Sequence, residues 1–355
     1  MDEGIIRFGI LGCAYIARKM SRAIMQTEGA CLYAIGSRSL EKAQAFAKDN
    51  GFQSDTKIYG SYQSVLDDEA VDVVYIPLPT SLHVEWVMKA SAKKKHVLLE
   101  KPPALSTEDL DKIISACESE RVQLMDCTMW MHHPRTVKMK ELLKKQELLG
   151  DILEVHASFF VPMSLCDPNF FTENIRINPE LDALGALGDL GWYCARAILW
   201  AYDYNLPVSV VALPGAQLIK GGVITRCSAS FVWNDGHVAL LHCSFHANMT
   251  MALNIYGSKG TMEVQDFVIP FKENSAYFKV RSATSQETMH VSTDTSQTQE
   301  SLMVHNFSCI VKGIKSGTGS LDPLWPAISR KTQQVLDAIK LSIEKGYTNI
   351  ELREN

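Results

Sequence analysis

The sequence predicts an α/β chain: a doubly wound parallel sheet, followed by an α+β region with a large, mostly antiparallel open sheet. Three observations carry this expectation. Short apolar runs at 6–11, 31–36, 71–77, 96–100 and 122–127 alternate with helix-like segments at 15–27, 40–49, 61–67, 81–93 and 106–119. Near-continuous apolar strands separated by helices pair in parallel and are covered on both faces. After about residue 128 the alternation stops, and strand signals follow one another from about 207 to 291 without intervening helices. Strands in direct succession pair antiparallel. The third observation is a glycine turn at the end of the first strand, which places residues 1–127 among Rossmann-type dinucleotide-binding domains and leaves 128–355 as a second domain.

Each element has a local reason. IRFGIL, CLYAIG, VDVVYIP, HVLLE and VQLMDC are the strand cores, and a weaker signal at 57–59 makes a sixth strand. Ser106, with Glu108 and Asp109 in the following turn, is a helix start with an N-cap and first-turn acids. In the second domain a helix at 134–146 leads into a long strand at 151–161, and a glycine-containing helix follows at about 184–201. Asn234-Asp235-Gly236, between FVW and HVALLHCSF, predicts a hairpin. Residues 282–300, rich in Ser, Thr and Gln, are expected as an exposed loop. Two helices near 300–315 and 326–345 finish the chain. There is no internal repeat and no Pro/Gly/Ser-rich linker.

Composition narrows the function classes. The chain has 355 residues, 46% hydrophobic and 21% charged, with a formal net charge of -5. This acidic balance offers nucleic acid or an anionic membrane no electrostatic attraction. No apolar stretch approaches the roughly 20 residues of a membrane span. The beginning MDEGIIRFGIL lacks the features of a secretory signal. Nine cysteines, scattered and without a CxxC pair, fit reduced thiols and a cytoplasmic location. Lys93-Lys94-Lys95 falls where a helix ends before a strand and is expected as a solvated helix terminus. No metal site is expected: His132 and His133 are adjacent and diverge, His242 and His246 lack a third ligand, and there is no HExxH. No GxSxG frames a nucleophile.

Gly9-Ile10-Leu11-Gly12-Cys13-Ala14-Tyr15-Ile16-Ala17 is a variant of the dinucleotide fingerprint. Gly12 supplies the tight turn, Ala14 stands where a second glycine is usual, and Ala17 is the small residue at the helix–strand contact. Pyrophosphate is expected on the backbone of Gly9, Gly12, Cys13, Ala14, Tyr15 and Ile16 at the helix start. About 20 residues on, NAD enzymes carry an acid for the ribose 2′-hydroxyl. Here the sequence is Gly36-Ser37-Arg38-Ser39. Ser37 can donate a hydrogen bond and Arg38 suits a 2′-phosphate. NADP(H) is therefore expected over NAD(H), with Ser39 capping the next helix.

Residues 185–193 read GALGDLGWY. Glycine costs helix stability by about 1 kcal/mol against alanine, so three at spacing three imply a close approach. Asp189 and Tyr193, at i and i+4, share a helix face. Two readings stay open from this motif alone. Either the glycines serve tight packing with Tyr193 in the core, or Asp189 and Tyr193 face a substrate hydroxyl.

Taken together these motifs resemble the Gfo/Idh/MocA oxidoreductase family, in the branch of dihydrodiol dehydrogenase and NADP-dependent xylose dehydrogenase. AKKKHVLLEKPPALS is similar to the family segment G-K-H-V-L-x-E-K-P, GILGCAYIAR and GSRS to its cofactor motifs, INPELDALGALGDLGWY to L-G-G-G-A-L-x-D-x-G-x-Y, and IYGSKGTMEV to its second-domain sheet. The resemblance implies an NADP(H)-dependent oxidoreductase that moves hydride between nicotinamide and a sugar, polyol or trans-dihydrodiol. It implies Lys101 as the catalytic lysine, with Asp189 and Tyr193 as further catalytic groups and a cis Lys101–Pro102 bond. Glu100 is expected with Lys101 at the cofactor, and also to fix the local backbone. Pro77, Leu78, Pro79 and His83 match T-P-N-x-x-H near the nicotinamide; His83 has the alternative of a structural hydrogen bond in the first turn of a helix. Trp130 and His132 match an aromatic stretch at the substrate. Met131 and His132 replace a usual arginine and aromatic residue, and Ala183 and Leu184 replace glycines, which puts the substrate in doubt. Arg176 is a candidate replacement for the lost charge. The family also implies a homodimer through the second-domain sheet. The rival reading is a dinucleotide-binding regulatory or partner-binding protein without turnover.

Overall fold

The computed structural model describes residues 4–219, 221–283 and 288–352. The chain forms two compact units. The first comprises the chain up to Ala104, Glu108–His132 and Gln297–Ser329; the second comprises Leu105–Thr107, His133–Ser296 and the chain from Arg330 onward. A segment near the C-terminus thus belongs to the N-terminal unit, where a single cut after residue 127 leaves it with the other.

The first unit is built on β1 (Ile6–Leu11), β2 (Ala30–Gly36), β3 (Lys57–Tyr59), β4 (Val73–Ile76), β5 (His96–Leu99) and β6 (Leu124–Asp126). They form one sheet in the order β3-β2-β1-β4-β5-β6, and every pairing is parallel. Between them run α1 (Ala17–Gln26), α2 (Leu40–Asp49), α3 (Tyr62–Asp67), α4 (His83–Ala92) and α5 (Thr107–Ser119). One face of the sheet buries Phe8, Ile10, Tyr75 and Leu98 against Met20 and Ile24 of α1. The other buries Val74, Val97 and Leu99 against Val87 of α4 and Leu110 and Ile113 of α5. Each such side chain contributes about 1.5–3 kcal/mol, so both faces must be covered. Helices α1 to α5 leave part of the first face open. It is closed by Met303, Val304, Phe307 and Val311 from a helix far along the chain, fixed by Lys19–Glu300 at 2.9 Å and by the Thr27 hydroxyl near Ser301 O, 3.2 Å.

The Lys93–Lys95 run is only partly a solvated helix end. Lys93 pairs with Asp67 and Lys94 with Glu120. Lys95 is buried, and its ammonium donates to Asp68 O and Val71 O at 2.7 Å each, the first of which also accepts from Val71 N–H at 3.2 Å.

The second unit begins with α6 (Pro134–Leu143) and β7 (Ile152–Phe160), and continues through the short α7 (Met163–Cys166) and α8 (Phe170–Glu173) to α9 (Trp192–Ala201). Strands β8 (Ser209–Ala212), β9 (Gln217–Leu218), β10 (Ile224–Val232), β11 (Val238–Ser244), β12 (Thr250–Gly257), β13 (Gly260–Val264), β14 (Ser275–Ser282) and β15 (Thr288–Asp294) follow, then α10 (Gln299–Ser316), α11 (Leu324–Glu344) and β16 (Ile350–Glu351). The sheet order is β15-β14-β13-β12-β7-β11-β10-β8-β16, with β9 beside β10. Pairing is antiparallel except between β7 and β11, which is parallel. The departure follows from α9: a helix lies between these two strands in sequence and covers one face of the sheet, as a crossover does. All ten residues of α9 are buried. The Asn234–Gly236 turn closes the β10–β11 hairpin, with Trp233 N–H on His237 O at 3.0 Å and Gly236 at φ +86°.

The loop expected over 282–300 is replaced by β15 and the start of α10; residues 284–287 lie outside the described residues. β15 is an edge strand with polar side chains outward on both sides. Alternation between a buried and a solvated face, the usual strand signal, is therefore missing there.

Candidate active-site residues

In a parallel sheet all carboxyl ends lie at one edge, and ligands bind where the strand order reverses. Here that point is between β1 and β4. The first unit therefore brings to one edge the Gly12 turn after β1, Ser37 and Arg38 after β2, Pro77-Leu78-Pro79 after β4, and Lys101 after β5.

Gly12 adopts φ +115°, a backbone that side chains other than glycine's rarely take. A Cβ there would meet the Leu78 side chain at 3.2 Å and the Tyr62 hydroxyl at 3.7 Å. Its N–H donates to Gly36 O at 2.8 Å, and regular helical bonding starts only with Ala17 N–H to Ala14 O. Cys13 through Ile16 therefore form an open turn ahead of α1, with Tyr15 85% exposed. This turn fits an anion at a helix start. Burial pushes the Cys13 thiol up from its ordinary value. Gly9 does not belong to the turn. It lies within β1, and a Cβ there would sit 2.5 Å from Val65; its role is to admit α3.

Ser37 is buried beside Cys13. Arg38 is exposed, and its charge lies close enough to the Tyr62 hydroxyl to act on it. No carboxylate occupies this strand end, and Ser39 caps α2 by accepting from Lys42 N–H at 3.2 Å. The residues fit a 2′-phosphorylated ribose. Tyr62, the partner of Arg38, escaped sequence reasoning; its only signal is a phenol at the first turn of a short helix.

Lys101 follows β5, and the Lys101–Pro102 bond is cis. Glu100 faces its own backbone. One carboxylate oxygen accepts from the Tyr75 hydroxyl at 2.6 Å and the other from Lys101 N–H at 3.2 Å. The structure therefore gives Glu100 the backbone-fixing role. Tyr75, wholly buried in β4, is a second residue that sequence reasoning missed; a hydroxyl in the apolar run VVYI was the available signal. His83 opens α4 and is 1% exposed. Its Nε2 lies 2.9 Å from Leu78 O and its Nδ1 3.1 Å from Pro103 O, and burial pushes its pKa down to about 4. A ring so enclosed takes the structural alternative and is not a cofactor ligand. Trp130 and His132 are also turned inward. Trp130 is 1% exposed, and His132 stacks on Trp325 at 4.8 Å and accepts from the Asn306 amide at 2.9 Å. His132 itself is 7% exposed.

In the second unit, Asp189 lies in a π turn, Leu187–Gly191, that runs into α9. Such turns widen the hydrogen-bonded ring to i→i+5 and recur at functional sites. Arg176 Nε donates to Asp189 Oδ2 at 2.8 Å, so Asp189 pairs with the cation expected as a candidate substrate ligand. Tyr193 is largely buried, its ring set edge-on to Phe159 at 5.7 Å. The glycines answer the packing question. A Cβ on Gly185, at φ +56°, would lie 2.2 Å from Ile224 O, and one on Gly191 would lie 3.3 Å from Cys243 Sγ. What comes close to this strip is the sheet, at β10 and β11.

Among the described residues there is no group of three or more His, Cys, Asp or Glu side chains that could hold a metal, and no helix long and apolar enough to cross a membrane.

A six-stranded parallel sheet with a glycine turn at its switch point defines a dinucleotide-binding oxidoreductase fold. Residues 6–126 match the profile described as an oxidoreductase family with an NAD-binding Rossmann fold, and residues 136–263 match the GFO/IDH/MocA C-terminal domain. The chain belongs to the Gfo/Idh/MocA oxidoreductase family. It is 30% identical to a dTDP-3,4-didehydro-2,6-dideoxy-alpha-D-glucose 3-reductase from Saccharopolyspora spinosa, over 90% of each chain. It is 33% identical to D-xylose 1-dehydrogenase (NADP(+)) 2 from Haloferax volcanii, over 72% of this chain and 74% of that protein. A 3-ketoreductase from Actinomadura kijaniata, solved with NADP and TDP-benzene, shares the fold at TM-score 0.81 and 22% identity, over 95% of this chain and 97% of the other.

Proposed function

We propose that this protein is an NADP(H)-dependent oxidoreductase that transfers hydride between nicotinamide and a carbinol or carbonyl carbon of a sugar, polyol or trans-dihydrodiol. The observation that carries the reading is the common sheet edge shared by the Gly12 turn, the acid-free Ser37–Arg38 strand end and Lys101. The names of the relatives support the cofactor and the substrate class. In this reading residues 1–127 hold the cofactor and 128–355 serve substrate binding and self-association.

Bound nicotinamide supplies the hydride acceptor or donor. The backbone at Gly12–Ile16 holds the pyrophosphate and Arg38 the 2′-phosphate. Lys101 donates a hydrogen bond to the reacting oxygen, and Tyr193 takes the hydroxyl proton in oxidation and returns it in reduction. Asp189, fixed by Arg176, orients the substrate. The test is nicotinamide absorbance with NADP⁺ and NADPH across a panel of pentoses, hexoses, inositols and trans-diols and their ketones. A kcat that falls by orders of magnitude but stays measurable in Lys101→Ala, and falls likewise in Tyr193→Phe, supports the reading. Tight NADPH binding without turnover on any member favours the regulatory alternative.

We also place the protein in the cytoplasm, on its scattered unpaired cysteines, and infer a homodimer through the uncovered face of the second sheet. That face aligns Ser158, His242, Ser228 and Ala252 in one row and Leu240, His156 and Asn254 in the next. Glu154 and Arg226 supply both charge signs, so it can pair with a copy of itself. Sedimentation should show a dimer that Leu240→Arg converts to monomer; an unchanged mass removes this interface.

A further inference from the structure

The turn that carries Lys101 is unusual in what holds it. Pro102 and Pro103 have no backbone N–H, so this stretch can be fixed only through carbonyls, side chains and the Lys101 N–H. Upstream, that N–H is bonded to Glu100, which is itself held by Tyr75. Downstream, the Pro103 carbonyl faces His83 Nδ1. The other ring nitrogen of His83 faces the Leu78 carbonyl in the loop after β4.

We propose that His83 is a positioning residue that ties the loop after β4 to the backbone following Lys101 and so sets where the Lys101 ammonium stands. The inference rests on the assignment of Lys101 to the chemistry. His83 touches the reacting groups through nothing but backbone, and it is 1% exposed, so it has no direct catalytic role. A neutral imidazole carries one N–H, and burial keeps this ring neutral at ordinary pH. That single donor can serve either the Leu78 or the Pro103 carbonyl, while the rigid ring spans the gap between them. Phenylalanine would preserve the volume and remove the donor. Glutamine keeps a donor on a flexible stem.

The test uses the full chain and the panel substrate with the fastest turnover. Misplacing a reacting group by about 1 Å costs up to about 10²-fold, so His83→Phe should lower kcat by about 10–100-fold. KM and the NADPH dissociation constant, read by nucleotide fluorescence, should stay within about twofold. His83→Gln should recover part of the loss, and in a Lys101→Ala background His83→Phe should lower kcat no further. A readout independent of turnover is the carbon-13 resonance of the labelled Lys101 side chain in the NADPH complex, assigned by its disappearance in Lys101→Arg. It should shift in His83→Phe and return toward the parent position in His83→Gln. An unshifted Lys101 resonance, an unchanged kcat, or equal losses in both backgrounds overturns the positioning role. Loss of NADPH binding in both His83 variants also overturns it, as a folding role. A parental kcat in Lys101→Ala overturns the assignment of Lys101 and takes the positioning role with it.

Discussion

At the scale of single residues, cofactor choice is the sharpest expectation. Arg38 is an exposed guanidinium beside a strand end with no carboxylate, and hydrogen bonds to charged groups contribute about 1.5–3 kcal/mol each. Arg38→Asp should weaken NADPH by about 10–100-fold and favour NADH; an unchanged ratio of the two dissociation constants would refute the role. The residues legible in sequence here are those whose chemistry has a fixed address. Gly12, Ser37, Arg38, Ser39 and Lys101 each sit at the end of a recognisable strand. Their partners were not legible. Tyr62 meets Arg38, and Tyr75 meets Glu100, only because the sheet brings distant strand ends together. The burial of Trp130 and His132 was not legible for the same reason. Their motif marks a cleft in relatives, while the helix that stacks Trp325 on His132 is encoded nearly two hundred positions away.

Among the elements, the π turn before α9 does most to place Asp189. Its glycines are set by the sheet underneath, so substitution is a packing question. Gly185→Ala must accept φ +56° and a Cβ 2.2 Å from Ile224 O. The backbone strain and the overpacking each cost roughly 1–3 kcal/mol. The urea midpoint should fall accordingly, whereas Gly29→Ala, with open space around it, pays for backbone strain alone. A midpoint loss no larger at Gly185 than at Gly29 would contradict the packing argument. Elements with a near-continuous apolar run or one buried face were readable from their pattern: the parallel strands of the first unit, α2 and the β10–β11 hairpin. β15, solvated on both sides, and the two-residue β16 gave no such pattern.

On the scale of the whole molecule, two buried histidines set the acid limit. Burial pushes both His83 and His96 down from 6.5 to about 4. The unfolded chain takes up these protons near pH 6.5, while the folded rings stay neutral until about pH 4. Stability is therefore complete above about pH 6.5 and is lost as pH falls toward 4, by a few kcal/mol per residue at about 1.4 kcal/mol per unit. Unfolding midpoints at neutral pH and near pH 5 should differ in this direction, and His96→Gln should reduce the difference. A midpoint independent of pH over this range would show that neither ring is buried neutral. The two-part architecture was legible because strand–helix alternation stops at one place. The return of Gln297–Ser329 to the first unit was not, since α10 carries an ordinary amphipathic pattern that does not say which sheet it covers.

That return has a consequence for how the protein is made. The six parallel strands leave the ribosome first, whereas Met303, Val304, Phe307 and Val311 follow only after β7 to β15. Until they emerge, Phe8, Ile10 and Met20 lack part of their cover. The nascent N-terminal region therefore exposes part of its apolar core throughout synthesis of the second sheet. A fragment ending at His132 should be poorly soluble alone and rescued by a peptide spanning α10.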